Sequence, residues 1–275
     1  MLSLCATPIG NMEDITLRVL RTLRESDLIY CEDTRHSMLL LNHYEIRKPL
    51  VSCHMHNERE RAEELVTLLR EGKHVSYISD AGMPGISDPG AVLIETCIRE
   101  ELPFEILPGA SAALMSIVFS GMDTGHFTFY GFLPRSGKER KTAIETAAEE
   151  KWPVIFYESP HRVEATLKDL FEGMGDVKAC VLRELTKKFE CAKRGTLTEL
   201  IAFYAEDPKG ECVIIADPST APERNKKDEQ TPEGIMEPIL SAGGACKEAA
   251  AVAAAALGMS KKEAYAIAVK LKQNI

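Results

Sequence analysis

HVSYISDAGMPGISDPG, residues 74–90, joins an apolar run of strand character to a loop that no helix can occupy. His74 to Ser79 holds Val75, Tyr77 and Ile78, β-branched and aromatic residues of the kind that favour a strand. From Ser79 to Gly90 the chain then carries three glycines, two prolines and two aspartates, and a helix resumes near Ala91. Strand, loop and helix in that order are the repeating unit of a parallel sheet covered by helices. In such sheets ligands gather outside the carboxyl ends of the strands, where this loop emerges.

The same unit recurs on both sides. Upstream, Leu2 to Ala6 is a short strand stopped by Pro8 and Gly10, and from Asp14 the residues Ile15, Val19 and Leu23 take helical spacing. A strand over Asp27 to Cys31, a helix ending near His43 and a strand over Leu50 to Cys53 follow. Asn57 with Glu60 offers a helix start, and Ala62, Leu65, Val66 and Leu69 form one apolar stripe. Downstream come a strand over Pro103 to Leu107 and a helix over Ala110 to Ser120. Five strands alternating with helices imply a parallel sheet with right-handed crossovers.

Beyond residue 121 the texture changes. Strands are predicted near Phe127 to Tyr130, Val154 to Tyr157, Ala179 to Leu182 and Glu211 to Ala216, with helices from Lys138, from Ser159-Pro160 and from the Thr196/Glu199 capping box. A mixed sheet fits this order. Residues 218–234, rich in Pro, Lys, Glu and Asp without period, read as a linker. An alanine-dense helix over Gly244 to Leu257 and a second one opened by Ser260 and Glu263 then suggest a helical hairpin. The expected division is 1–121 and 122–217 as two α/β domains, 218–234 as linker and 235–275 as hairpin.

Composition narrows the function classes. Net charge is −9 from 33 basic and 42 acidic residues, which argues against indiscriminate binding to phosphate backbones while leaving room for a local basic surface. No apolar run approaches the ~18 residues of a spanning helix and the first ten residues lack signal-peptide features, so a cytoplasmic protein is expected. The eight cysteines form no CxxC pair and sit in apolar runs; buried thiols are expected, and no metal set.

Several segments could carry chemistry. The loop at 79–90 suits a nucleoside without phosphates: glycines let backbone approach a ligand, and Asp80 or Asp88 can accept hydroxyls or attract a cation. It fails the GxGxxG pattern of dinucleotide sites. PGASA at 108–112 enters a helix and could hold a carboxylate or sugar edge. It also approximates a nucleophile elbow, with Ser111 as nucleophile of a hydrolase and His126 or His161 as partner, although Ala113 replaces the final glycine. GFLPRSGKERK at 131–141 is not a Walker loop, because Glu139 stands where Ser or Thr is required. Its Arg135, Lys138 and Arg140, with Arg162, could instead contact RNA phosphates. Glu32 and Arg35 end the second strand, and His54, His56 and Glu58 follow the third. Glu158, Arg162, Glu184 and Lys187 sit at strand ends of the second half, which makes a cleft between the halves the economical site.

TPIGN (7–11), EDTRH (32–36), SDAGMPGISDPG (79–90), PGASAAL (108–114), GFLPR (131–135), YESPHR (157–162), RELTK (183–187) and RGTL (194–197) together resemble the ribosomal RNA small subunit methyltransferase I family of the tetrapyrrole methylases. The resemblance implies two α/β domains with S-adenosyl-L-methionine in the cleft, a homodimer, and 2′-O-methylation of a cytidine in the decoding region of 16S ribosomal RNA, with the small ribosomal subunit as partner. It implies that Asp80, Ala81, Gly82, Asp88, Ser111 and Ala112, with Glu158 and Gly210, bind the cofactor. Met83 replaces a threonine common in the family's loop. TPIGN differs from the GxGPGD-like loop of enzymes that methylate tetrapyrroles, which leaves that small-molecule activity as the alternative. A ribose hydroxyl is a poor nucleophile at neutral pH, so a base and a cation are expected: Glu32, His54 or Glu58 for the first, and Arg35, Arg162 or Lys187 for the second.

Overall fold

A computed structural model describes residues 1–205, 210–221 and 231–272. The first half forms a five-stranded parallel sheet of β1 (Leu2–Cys5), β2 (Leu28–Cys31), β3 (Leu50–Ser52), β4 (Val75–Ile78) and β5 (Phe104–Leu107), in the order β3-β2-β4-β1-β5. Helices α1 (Leu17–Glu25), α2 (Thr34–His43), α3 (Glu58–Arg70) and α4 (Ala91–Arg99) make the crossovers, and α5 (Ala112–Ser120) follows β5. The central strands β1 and β4 are buried along their whole length, as expected where helices cover both faces. Because β1 and β4 are parallel neighbours, the loops that leave them emerge side by side. Their backbones are stitched together: Thr7 N–H donates to the Gly82 carbonyl at 2.9 Å and Gly82 N–H to the Thr7 carbonyl at 3.1 Å.

The second sheet is mixed, with β6 (Thr128–Phe132), β7 (Val154–Glu158), β8 (Lys178–Arg183), β9 (Cys191–Thr196) and β10 (Cys212–Asp217) in the order β6-β7-β10-β8-β9. Only β6 and β7 run parallel; the other pairs are antiparallel. Cys212 therefore pairs with Glu158, so the start of β10 lies at the same edge as the end of β7. Helices α6 (Gly137–Ala148), α7 (Val163–Met174) and α8 (Leu197–Phe203) belong to this half, α8 being opened by the Thr196/Glu199 capping box. The α5 helix packs on the second sheet, where Ala113 and Ile117 share a core with Ile155, Leu182 and Ile215. The two sheets accordingly form one compact unit, Met1–Thr220.

Of the eight free cysteines, six are buried and two half-buried. A second unit lies beyond residue 220. Residues 222–230, most of the expected linker, fall outside the described residues; on either side stand a 3-10 turn at Pro218–Thr220 and a helix beginning at Pro232. The C-terminal part is helical as expected and, among the described residues, holds three helices, α9 (Pro232–Ser241), α10 (Cys246–Leu257) and α11 (Lys261–Lys272). Alanines 249, 250, 253, 254, 264 and 268 with Met236 and Leu240 form its core, small side chains that let the helix axes approach closely. Among the described residues no helix is long and apolar enough to cross a membrane.

Candidate functional site

The two sheets meet around a cavity of about 370 Å³, within the ~300–1,000 Å³ of small-ligand sites. On one side lie Asp80, Ala81, Gly82 and Asp88 from the β4–α4 loop and Ser111 and Ala112 from the start of α5. On the other lie Tyr157 and Glu158 at the end of β7 and Cys212 and Val213 at the start of β10, which the antiparallel register brings together. Ile9 of TPIGN and Phe132 of GFLPR complete the wall. Seven of the eight residues expected at a cofactor thus border one cavity. Gly210 does not: its α-carbon packs on Glu184, and an added Cβ would fall 2.1 Å from Glu184 Oε1.

The site is acidic and each carboxylate is held differently. Asp80 Oδ1 accepts the Asp33 amide at 3.3 Å, at the start of α2. Glu158 is buried; its Oε1 accepts the Ser159 amide at 2.8 Å and its Oε2 the Thr166 hydroxyl at 2.6 Å, while Arg162 Nε stands 3.7 Å away. Burial, then the Glu32 and Asp80 charges, push the Asp88 carboxyl up to about 7. Glu32 is raised as well, by burial first and by Asp80 next. Ser111 stands at the N-cap of α5 without bonding the helix through its hydroxyl, so that hydroxyl remains available to a ligand.

Tyr157, which the motif reading left without a role, donates nothing to the helix but accepts the Ala113 amide at 3.1 Å, tying the start of α5 to β7. Burial raises its phenol. Its place at the carboxyl end of a predicted strand, inside YESPHR, was the available signal.

Several expected roles need correction. Glu58, a candidate base, is 6% exposed; its Oε1 accepts the Gly90 amide at 2.7 Å and the Val92 amide at 3.1 Å, so it clamps the start of α4 and cannot reach the cavity. Glu32 and His54 lie near the carboxylate cluster but do not line the cavity. Arg35 points to solvent beside Asp33, at 3.4 Å, and Lys187 bridges Glu184 at 3.0 Å and Glu211 at 2.9 Å; neither cation lines the cavity. Arg140, expected on RNA, is 7% exposed and spends its guanidinium on Asp169 (2.7 Å), Thr166 (2.8 Å) and the Pro134 carbonyl (3.1 Å). Arg162 faces Glu158 and the Arg135 carbonyl, which leaves Arg135 and Lys138 as the exposed members of that group. The nucleophile reading of Ser111 lacks its base, since neither His126 nor His161 borders the cavity; His126 stacks on Trp152.

A profile of the Tetrapyrrole (Corrin/Porphyrin) Methylases matches residues 1–201. The chain is 46% identical over 215 residues to a protein of Thermotoga maritima named ribosomal RNA small subunit methyltransferase I, covering 78% of this chain and 96% of that one. The chain belongs to the ribosomal RNA small subunit methyltransferase I family. A member from Halalkalibacterium halodurans, 42% identical over 270 residues, covers 97% of this chain and 93% of its own, so the family likeness includes the helical C-terminal part. Among solved structures, the uroporphyrin-III C-methyltransferase of Thermus thermophilus complexed with S-adenosylhomocysteine shares the fold, with a TM-score of 0.57 at 18% identity over 79% of this chain and 97% of that one. The two-sheet architecture of the family member described here is thus that of the tetrapyrrole methylases.

Proposed function

We propose that the protein transfers a methyl group from S-adenosyl-L-methionine to the 2′-hydroxyl of a cytidine in the decoding region of 16S ribosomal RNA. The observation that carries the proposal is the cavity in which the SDAGMPG loop, the start of α5 and the end of β7 converge. Its donors and acceptors fit the cofactor. Asp80 and Glu158 complement a sulfonium and an ammonium. The unengaged Ser111 hydroxyl and the backbone of Ala81 and Ala112 suit a carboxylate or sugar edge, and Ile9, Val213 and the Phe132 ring supply apolar wall. Bound there, the cofactor supplies an electrophilic methyl group on a positively charged sulfur. The chain's own part is to hold the acceptor oxygen in line, exclude water and receive a proton.

Arg135 and Lys138, exposed on the α6 side of GFLPR, would receive RNA phosphates, and Phe132, 61% exposed at the rim, would meet the displaced nucleotide. The apolar side chains Leu114 and Val118 stand out of α5, 57% and 69% exposed, and support a homodimer. The assembled small subunit is the proposed substrate and the cytoplasm the proposed location. Labelled methyl donor, mixed with 30S particles or with free RNA and followed by nucleoside analysis, tests the reading. Label in 2′-O-methylcytidine, greater from particles, is the expected result; label confined to a base, or to a small molecule only, refutes it.

A further inference from the structure

We infer that Asp88 is the group that accepts the proton of the ribose 2′-hydroxyl during methyl transfer, an inference that rests on the reading above. Among the described residues the cavity is lined by four carboxylates, Asp80, Asp88, Glu158 and Glu211, and three are already engaged, Glu211 by Lys187 at 2.9 Å. Glu158 spends both oxygens on Ser159 and Thr166 with Arg162 beside it, and Asp80 takes the Asp33 amide. Asp88 borders the same cavity, and among the described residues neither a backbone amide nor a lysine or arginine pairs with it. The residues named from sequence for this task fail on position: Glu58 is consumed by α4, while Glu32 and His54 stand outside the cavity wall.

The loop holds Asp88 in place from both sides. Ser87, immediately before it, adopts φ 61°, a left-handed conformation that is strained for a non-glycine residue. Its hydroxyl fills the space over Gly131 of β6, where an added Cβ would come within 2.8 Å of it. Two residues after Asp88, the Gly90 amide is tied to Glu58. An acceptor fixed between two anchors meets the geometric demand of proton transfer, and its environment meets the chemical one. Burial first, and then Glu32 and Asp80 as like charges, raise its proton affinity, and the phenols of Tyr77 and Tyr157 feel its charge in turn. A base that titrates close to the working pH combines a populated ionised form with adequate proton affinity. In the step, the O–H bond breaks and its proton moves to the Asp88 carboxylate as the ribose oxygen bonds the methyl carbon. The electron pair of the breaking S–C bond stays on sulfur, which departs as a neutral thioether, and Asp88 releases the proton to water.

Single-turnover methylation of 30S particles with saturating cofactor, measured from about pH 5.5 to 8.5, tests this. The unaltered protein should show a rate that climbs about tenfold per unit at low pH and levels off above about 7. Asp88→Asn should lose about 100-fold or more in rate and the pH dependence with it, while cofactor affinity by calorimetry stays within about threefold; Asp88→Glu should recover part of the rate. A flat profile in the unaltered protein would overturn the inference without involving any variant. So would a fully active Asp88→Asn, or a loss of cofactor affinity that accounts for the whole loss of rate. If the unaltered protein binds cofactor yet methylates no 2′-hydroxyl, the functional reading falls and this inference with it.

Discussion

Replacing Glu58 separates a structural clamp from a catalytic base, because the two roles move different observables. One carboxylate oxygen holds two amides, Gly90 at 2.7 Å and Val92 at 3.1 Å, at the start of α4, where the helix dipole favours negative charge. Glu58→Gln keeps an oxygen in the same place but removes the charge. Each bond then falls from the charge-assisted range of ~1.5–3 kcal/mol to the neutral ~0.5–1.5, and the buried amide gains a donor that needs a partner. A loss of about 2 to 4 kcal/mol of stability follows. Glu58→Ala orphans both amides and leaves a void, so about 3 to 5 kcal/mol is expected. Gly90 has φ 131° and packs against Tyr77. The loop it ends carries Asp80 and Asp88, so slackening the clamp should also weaken cofactor binding. Urea denaturation gives the first number and calorimetry with the cofactor product the second. A Glu58→Gln protein with ordinary stability and ordinary cofactor affinity, but methyl transfer reduced 100-fold or more, would refute the clamp and restore the base.

Three further outcomes follow from the same geometry. Arg140→Leu should destabilise the fold by about 3 kcal/mol in chemical denaturation, since it strands Asp169 and the Pro134 carbonyl. It should leave affinity for 30S particles unchanged, whereas Lys138→Ala should lower that affinity and the steepness of its salt dependence. Asp80→Asn should weaken cofactor binding roughly 10- to 150-fold in calorimetry with little effect on melting temperature, because a charge-assisted bond at a cavity wall is lost while the core is untouched. The Asp88 carboxyl binds its proton more tightly folded, at about 7, than at its ordinary 3.8. Its contribution to stability is therefore complete below the ordinary value and lost as pH rises to about 7. Thermal melts should accordingly show Asp88→Asn gaining on the unaltered protein between pH 5 and 8, and a constant difference would contradict the assignment of burial and like charge as the cause.

Most of the fold was legible because its signals are local. The five strands of the first sheet are apolar runs ended by loop residues, and their alternation with helices leaves little choice but parallel pairing. Two elements escaped for opposite reasons. CAKRGT, β9, has no apolar alternation, because as an edge strand it pairs on one side with β8 and its side chains are partly or fully exposed. What holds it is backbone bonding, which composition does not report. The first turn of α9, with Pro232 and Glu233, read as the end of the linker at 218–234, and no helix was assigned between there and Gly244. Packing overrides that propensity: Met236 and Leu240, four residues apart, enter the alanine core, and Thr231 caps the helix with Pro232 at its first turn. Sequence order also assigned α5 to the first half, while its Ala113 and Ile117 are spent on the second sheet.

The site was legible as a place and illegible as a division of labour. Loops at strand carboxyl ends had to converge, and seven residues chosen from motifs do border one cavity. Which carboxylate does chemistry depends on how many of its oxygens are already taken, and that is a property of distant neighbours. Glu58 is consumed by amides 32 and 34 residues away, and Arg140 by Asp169 and Thr166, 29 and 26 residues away. Asp88 escapes such partners because its neighbours in space are Glu32 and Asp80, brought beside it by the β2–β4 pairing and the loop from β4. Motif reading ranks ionisable residues by type and company in the chain, so it treats a clamped glutamate and an unclamped aspartate alike. The distinction enters only when hydrogen bonds are counted, and it moves the expected base from the strand ends of β2 and β3 to the loop that follows β4.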